Sequence, residues 1–430
     1  MNDKKALGIY IHIPFCVRKC LYCDFLSDAA DSSVINNYIE AVKKEISYTA
    51  LDCVDFKSQF KVKTIFFGGG TPSLIKSDHI SRILDKVRER FDVSEEAEMT
   101  IECNPATADL LKMKDWIKSG VNRLSIGLQS SIDGELKLLG RVHDKEQFEE
   151  TYKNALEAGF ENINIDIMSA LPGQTLESYR KTLEYVIARK PKHISAYSLI
   201  VEPDTPFYEI YGEGKTACAD FGSNEPGEKR VWPDLPDEDT EREMYYLTEE
   251  LLAEHGYERY EISNYSKKGY ECRHNISYWD GTDYIGFGVG AASYLNGIRY
   301  SNTSDIYTYI NACMQLDRIR EADAFDMYTE DEEMSFDPCS YLTDEKYHEQ
   351  IHKLSLQEKM EEFMFLGLRM MKGISKSEFK KRFLKDIRDV YPQVPDKLIK
   401  QDLLIEEGDS FRLTKTGIDV SNVVLANFLL

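Results

Sequence analysis

No run of about 18 consecutive apolar residues occurs in the chain, so no membrane-spanning helix is expected. The N-terminus, MNDKKALGIYIHIPFC, has neither the apolar segment nor the cleavage site of a secretory signal, and a cytoplasmic protein is expected. Positive charge is short as well: 53 Lys and Arg stand against 75 Asp and Glu, a formal charge of -22. Nonspecific nucleic-acid binding needs cations to neutralise phosphates, so nucleic acid is not an expected partner. Paired cysteine knuckles are missing too. The nine cysteines are an odd number, single except for one cluster, which favours metal binding or free thiols over a disulfide framework.

Length and repetition are present instead. A chain of 430 residues exceeds what one core usually supports, so several domains are expected. The first half alternates apolar runs (LGIYIHI, VKTIFF, EMTIEC, NRLSIGL, NINIDIM and HISAYSL) with amphipathic stretches such as INNYIEAVKKEISY and TLESYRKTLEYVIAR. Six strand-helix repeats of about 30 residues predict an α/β fold with a parallel sheet and right-handed crossovers. Each of the first five strands ends in something chemically loaded: the cysteines, GGGTPS, Glu102 with Asn104, Gln129 and Asp166. Active sites of βα barrels are built at that face, so a partial (β/α)6 TIM-like barrel over residues 1–210 is the expected architecture.

Residues 211–320 read as a connection followed by an aromatic, glycine-rich segment containing RHNISYW. An acidic insertion is expected over 321–350, with ten acidic residues and no Lys or Arg from Glu321 to Glu345. Residues 351–430 order two helices before a hairpin turned at EGDS and a last helix, which predicts a small winged-helix-like domain. Its 14 basic and 12 acidic residues from Lys353 to Leu430 are too balanced for DNA reading.

The cysteine cluster is CVRKCLYC: Cys16, Cys20 and Cys23, spaced C-x3-C-x2-C. Structural zinc takes four protein ligands, whereas three thiolates on a 4Fe-4S cluster leave one iron open. Such a cluster just after the first strand of a partial barrel resembles the signature of the radical S-adenosylmethionine family. The resemblance implies a 4Fe-4S cluster on the three cysteines and S-adenosylmethionine chelating the open iron through its amino and carboxylate groups. It also implies one-electron cleavage of the sulfonium to methionine and a 5'-deoxyadenosyl radical. FFGGGTPS resembles the family loop that holds the cofactor's amino group, which assigns Gly68, Gly69, Gly70 and Thr71 to it. Glu102, Gln129, Arg141 and Asp166 match further cofactor contacts, and Tyr10 falls where related oxidases place a tyrosine against the sulfonium.

Within that family, YIHIPFC, ECNP, GVNRLSIGLQS, LGRVH, NINIDIMSALPGQT and SLIVEPDTPFY are similar to the oxygen-independent coproporphyrinogen III oxidases and their heme-chaperone relatives. Three departures separate the two branches. Phe25 stands where the oxidases carry a further cysteine, only fifteen residues precede Cys16, and RHNISYW resembles the HNxxYW motif of the chaperones. The chaperone branch implies heme as ligand, with His274 on the iron and Tyr278 and Trp279 near the macrocycle. It implies heme-requiring acceptors such as respiratory enzymes as partners, with a homodimer and peripheral membrane contact as further expectations. The residues alone leave other readings of this motif open: a hydrogen-bonded core histidine with packed aromatics, or ligation through a neighbouring motif residue or Cys272. The alternative function is oxidative decarboxylation of coproporphyrinogen propionates.

Two motifs are expected to carry no chemistry. HEQIH, His348 to His352, satisfies the HExxH pattern of zinc proteases but reads as a charged surface helix without a third ligand. GFGVGAA, Gly286 to Ala292, lacks the G-x-G-x-x-G spacing and a following βαβ unit, and reads as a tight turn.

Overall fold

The computed structural model describes residues 4–51, 56–215, 217–219, 230–326 and 347–430. Six parallel strands occupy the apolar runs: β1 (Lys5–Ile13), β2 (Phe60–Gly69), β3 (Val93–Cys103), β4 (Arg123–Gln129), β5 (Asn162–Ser169) and β6 (His193–Ser198). Each pairs with the next in chain order. Burial reaches both faces of these strands, as in β1, where Leu7, Ile9, Ile11 and Ile13 are buried on one face and Gly8 and His12 on the other. The helices between them cover the outer face. Helix Lys145–Ala158 starts from an Asp144/Gln147 capping box and stops at Gly159, whose φ of 106° suits glycine. Helix Leu176–Arg189 has its own capping box, on Thr175 and Ser178.

The segment 211–320 does more than connect. Beyond the short pair β7 (Cys218–Ala219) and β8 (Arg230–Val231), it extends the sheet on both sides. Antiparallel β10 (Asn264–Ser266) and β9 (Glu258–Arg259) continue past β6. On the other side β11 (Asp283–Phe287) pairs in parallel with β1, and β12 (Ala292–Leu295), β13 (Ile298–Asn302) and β14 (His348–Lys353) follow antiparallel. The result is one open twelve-stranded sheet in the order β14-β13-β12-β11-β1-β2-β3-β4-β5-β6-β10-β9, a partial barrel in its parallel part.

Two sequence readings change here. GFGVGAA is only partly a turn: Gly286 and Phe287 belong to the seventh parallel strand, and the turn begins at Gly288, with φ of 104°. HEQIH lies on strand β14, not on a helix. An extended chain separates residues i and i+4 by about 13 Å, so its two histidines cannot share a metal ion. His348 is buried against Tyr300 and Tyr347, whereas His352 is exposed and pairs with Glu358 at 2.7 Å.

Of the acidic insertion, 327–346 lies outside the described residues; Glu321, Asp323 and Asp326 end helix Ile306–Asp326. One hydrophobic core runs from Leu7 through the barrel to Tyr347. A separate core from Met360 to Phe428 organises the C-terminal part. There, helices Leu356–Gly367, Lys376–Phe383 and Val394–Lys400 pack with a three-stranded sheet. Its strands are β15 (Ile374–Ser375), β16 (Leu404–Glu407) and β17 (Ser410–Leu413). The β16-β17 hairpin turns at Gly408 and Asp409, as EGDS predicted, with Gly408 at φ 56°.

Candidate functional site

The C-terminal ends of the parallel strands meet the cysteine loop. That loop leaves β1 and is closed by its own backbone, Asp28 N–H donating to Pro14 O at 2.8 Å and Cys16 N–H to Asp28 O at 3.0 Å. Further along, Leu21 N–H donates to Leu139 O at 3.0 Å, and Arg18 donates to Gly140 O at 3.0 Å. All three cysteines are half-buried and free, and they line one cavity of about 400 Å³. Burial pushes the Cys23 thiol up to about 11, so an electropositive metal centre is needed to hold it as thiolate. Among the described residues no three His, Cys, Asp or Glu side chains converge on a single metal ion. A cubane cluster makes a different demand, because each thiolate takes its own iron.

The glycine loop is pinned against β1. Gly70 N–H donates to Ile13 O at 2.9 Å and Thr71 N–H to Phe15 O at 2.8 Å. A Cβ on Gly70 would lie 2.9 Å from Phe15 O, and one on Gly69, where φ is 113°, would lie 2.5 Å from the His12 ring. These positions require glycine because two strand ends approach this closely. Gly68 lies against the Tyr10 and Phe66 rings and Glu102, and the Thr71 hydroxyl sits 3.4 Å from Cys16 Sγ.

The strand-end polar residues converge on the same cavity. Glu102 Oε2 accepts from Gly69 N–H at 3.2 Å, and burial, then the Asp166 carboxylate, pushes its carboxyl up to about 8. Asp166 is raised by burial and accepts from Asn164 at 2.6 Å and Ser125 at 3.3 Å. Arg141 donates to Asn104 Oδ1 and Gly127 O, both at 2.8 Å, and reaches Cys20 Sγ at 3.7 Å. Gln129 adopts φ of 68°, which turns the chain at the end of β4. Gln129 Oε1 and Arg141 Nε are buried without partners, a free acceptor and a free donor beside three thiols. Such a wall fits a polar, zwitterionic ligand at an iron-sulfur cluster.

Tyr10 faces a second cavity of about 560 Å³, its hydroxyl 3.0 Å from His12 Nδ1 and its ring stacked on Phe66. Phe25, Gly69 and Glu102 line both cavities, and Phe25 is 62% exposed between them. The far wall of the second cavity is aromatic: Tyr278, Trp279, Tyr284 and Tyr294. A third cavity of about 520 Å³, under helix Leu356–Gly367, shares Trp279, Gly281, Tyr294, Glu362 and Leu366 with the second. The three cavities form one tract from the cysteines to the C-terminal domain.

His274 is not on that tract. It lies at the start of helix Arg273–Trp279, fully buried, with its ring stacked on Phe66. Nδ1 meets Thr64 Oγ1 at 2.8 Å and Nε2 meets the Tyr278 hydroxyl at 2.9 Å, so both ring nitrogens are engaged. Burial, with the Arg123 charge second, lowers its pKa to about 3. Cys272 is equally enclosed, its thiol 3.6 Å from Glu98 and pushed up to about 12 by burial. In this conformation the hydrogen-bonded core histidine is the reading that describes His274. Sequence reasoning missed Ser125, Asn164 and Tyr197: the first two sit inside apolar runs, while Tyr197 obeys the strand-end rule and was open to discovery.

Comparison with known proteins agrees with this geometry. The radical SAM superfamily model matches residues 10–186, and the HemN C-terminal domain model matches residues 354–420. The heme chaperone HemW of Lactococcus lactis is 33% identical, covering 99% of this chain and 98% of its own. HemW of Bacillus subtilis is 32% identical over 98% of both. The Escherichia coli coproporphyrinogen III oxidase HemN shares the fold, with a TM-score of 0.75 at 21% identity over 99% of this chain and 90% of its own. With a cysteine loop, a glycine loop and strand-end polar groups on one cavity, and full-length identity above 30%, the chain belongs to the HemW family of radical S-adenosylmethionine proteins.

Proposed function

We propose that this protein is a heme chaperone: it binds heme and hands it to heme-requiring acceptors such as respiratory enzymes, in the cytoplasm. Homodimer formation and peripheral contact with a membrane belong to the same proposal. The observation that carries it is the aromatic cavity opening directly from the cysteine cavity across Phe25, Gly69 and Glu102. A flat, largely apolar macrocycle suits a wall of Tyr278, Trp279, Tyr284 and Tyr294, since aromatic faces bury much area with little entropy loss.

Cys16, Cys20 and Cys23 are the residues to hold a 4Fe-4S cluster. Gly68, Gly69, Gly70, Thr71, Glu102, Gln129, Arg141 and Asp166 are those to hold S-adenosylmethionine, with Tyr10 where the two cavities meet. When bound, this pair supplies one-electron reduction of a sulfonium. The chain's own residues set the conditions around it. Arg141 places a buried positive charge beside Cys20, Glu102 is kept protonated near neutral pH by burial, and Phe25 lines both cavities. His274 is assigned a positioning role: it fixes the Tyr278 hydroxyl and so the aromatic wall.

The test is an anaerobic assay on cluster-reconstituted protein with coproporphyrinogen III, S-adenosylmethionine and a low-potential reductant. No decarboxylation with the cluster intact, together with heme binding, is expected. Formation of protoporphyrinogen IX would make the protein an oxidase.

A further inference from the structure

The chamber between the barrel and the C-terminal domain has a charge pattern that the cofactor cavity does not explain. Its apolar lining includes Trp279, Phe363, Leu366, Met370, Ile374 and Phe383. Three acidic and three basic side chains sit among them, and most are spoken for. Arg382 pairs with Glu378 at 2.8 Å, and Glu362 pairs with Arg299 of the adjoining cavity at 3.1 Å. The Asp280 carboxylate accepts from Thr282, from its N–H at 3.0 Å and its hydroxyl at 2.6 Å. Lys359 and Lys372 remain: among the described residues neither ammonium has a hydrogen-bond or ion-pair partner, and Asp283, outside the chamber lining, acts on Lys359 through its charge alone. The Trp279 Nε1–H is also buried without an acceptor.

Two unpaired cations at the edge of an apolar, aromatic-walled chamber match a flat apolar molecule bearing two carboxylates. We infer that Lys359 and Lys372 take the heme carboxylates, with the macrocycle lying between the barrel and the C-terminal domain along the face that Trp279 shares with the second cavity. This rests on the heme-binding reading above and adds to it a seat formed by both halves of the chain. Lys359 stands on helix Leu356–Gly367 and Lys372 in the turn before β15, so the C-terminal domain supplies both cations and the barrel supplies Trp279 and Tyr294.

The experiment compares binding of iron protoporphyrin IX with that of its dimethyl ester, in which both carboxylates are masked, using full-length protein. A charge-assisted hydrogen bond strengthens binding, so the free acid should bind the native chain at least about tenfold more tightly than the ester. Lys359→Gln with Lys372→Gln should remove that preference while ester binding persists, which also shows that the variant is folded. Lys118→Gln, on the distant helix Leu110–Lys118 where it pairs with Asp115, should keep the preference. Equal affinity of the native chain for both porphyrins, or a preference surviving in the double variant, would overturn the lysine assignment alone. Failure of the native chain to bind either porphyrin would instead refute the heme reading and this assignment with it.

Discussion

Replacing His274 with alanine separates the two roles open to that residue. In the structure the imidazole joins Thr64 Oγ1 and the Tyr278 hydroxyl and packs on Phe66, with no exposure to solvent. Its loss strands two polar groups, each costing about 1–3 kcal/mol when buried without a partner, before any cavity term is added. A destabilisation of about 2–6 kcal/mol at pH 7 is therefore expected. The pH dependence carries the same signature. Folding lowers the pKa of His274 to about 3, below its unfolded value of 6.5, so its contribution is complete above pH 6.5 and is lost as pH falls toward 3. The gap between the native protein and the variant should narrow by about 1.4 kcal/mol per pH unit below 6.5. Urea denaturation of the cofactor-free protein at pH 7 and pH 5 reads both effects. Resonance Raman of ferrous heme on the variant then reads the ligand: a positioning residue leaves the axial-ligand spectrum unchanged while affinity drops. An iron-imidazole stretch present in the native chain and absent only in His274→Ala, with unchanged urea midpoint, would refute the positioning role.

Other consequences follow from neighbouring parts of the fold. Cys20→Ala should remove the iron-sulfur absorption and most iron and sulfide while the protein stays soluble, and unchanged iron content would sink the cysteine site. Gly70→Ala forces a methyl group to 2.9 Å from Phe15 O, and overpacking of about 1–3 kcal/mol should loosen the cysteine loop and lower cluster occupancy after reconstitution. Glu45, buried on helix Ser32–Leu51, accepts from the Tyr309 hydroxyl, from Gly288 N–H at 2.9 Å and from Asn302 at 2.7 Å, and burial raises its pKa to about 7. It folds protonated more readily than it unfolds, so its contribution is full below about pH 4.5 and declines as pH rises through 7. Glu45→Gln should therefore flatten the stability profile between pH 4.5 and 7 in thermal melts, and an unaltered slope would contradict that.

The parallel strands could be read from sequence because one face of each is written in regularly spaced Ile, Leu or Val, as in β1 and β5, where isoleucine recurs at every second position. The thiol loop was legible through its spacing, its place after the first strand and the family resemblance, and Glu102, Gln129 and Asp166 through their positions at strand ends. Helix Leu110–Lys118 was less plain because it is only nine residues long, although Met113, Trp116 and Ile117 give it an apolar face. Strands β9 to β13 are two to five residues long and rich in tyrosine and glycine, and β11 finds its partner β1 some 270 residues away. No local pattern encodes such pairing. The sequence left His274 between heme ligand and hydrogen-bonded core histidine, and the partner that separates the two in this conformation, Thr64, is 210 positions distant.

On the proposed function, this chain carries heme in order to release it. Protein loaded with one equivalent of heme, freed of excess and mixed with an apo heme protein of distinct Soret absorption, tests it directly. Transfer to the acceptor faster than through free heme in solution, as judged by a scavenger that traps released heme, is the predicted result. Heme that stays on the chain, or reaches the acceptor only at the scavenger's rate, would rule out a delivery role.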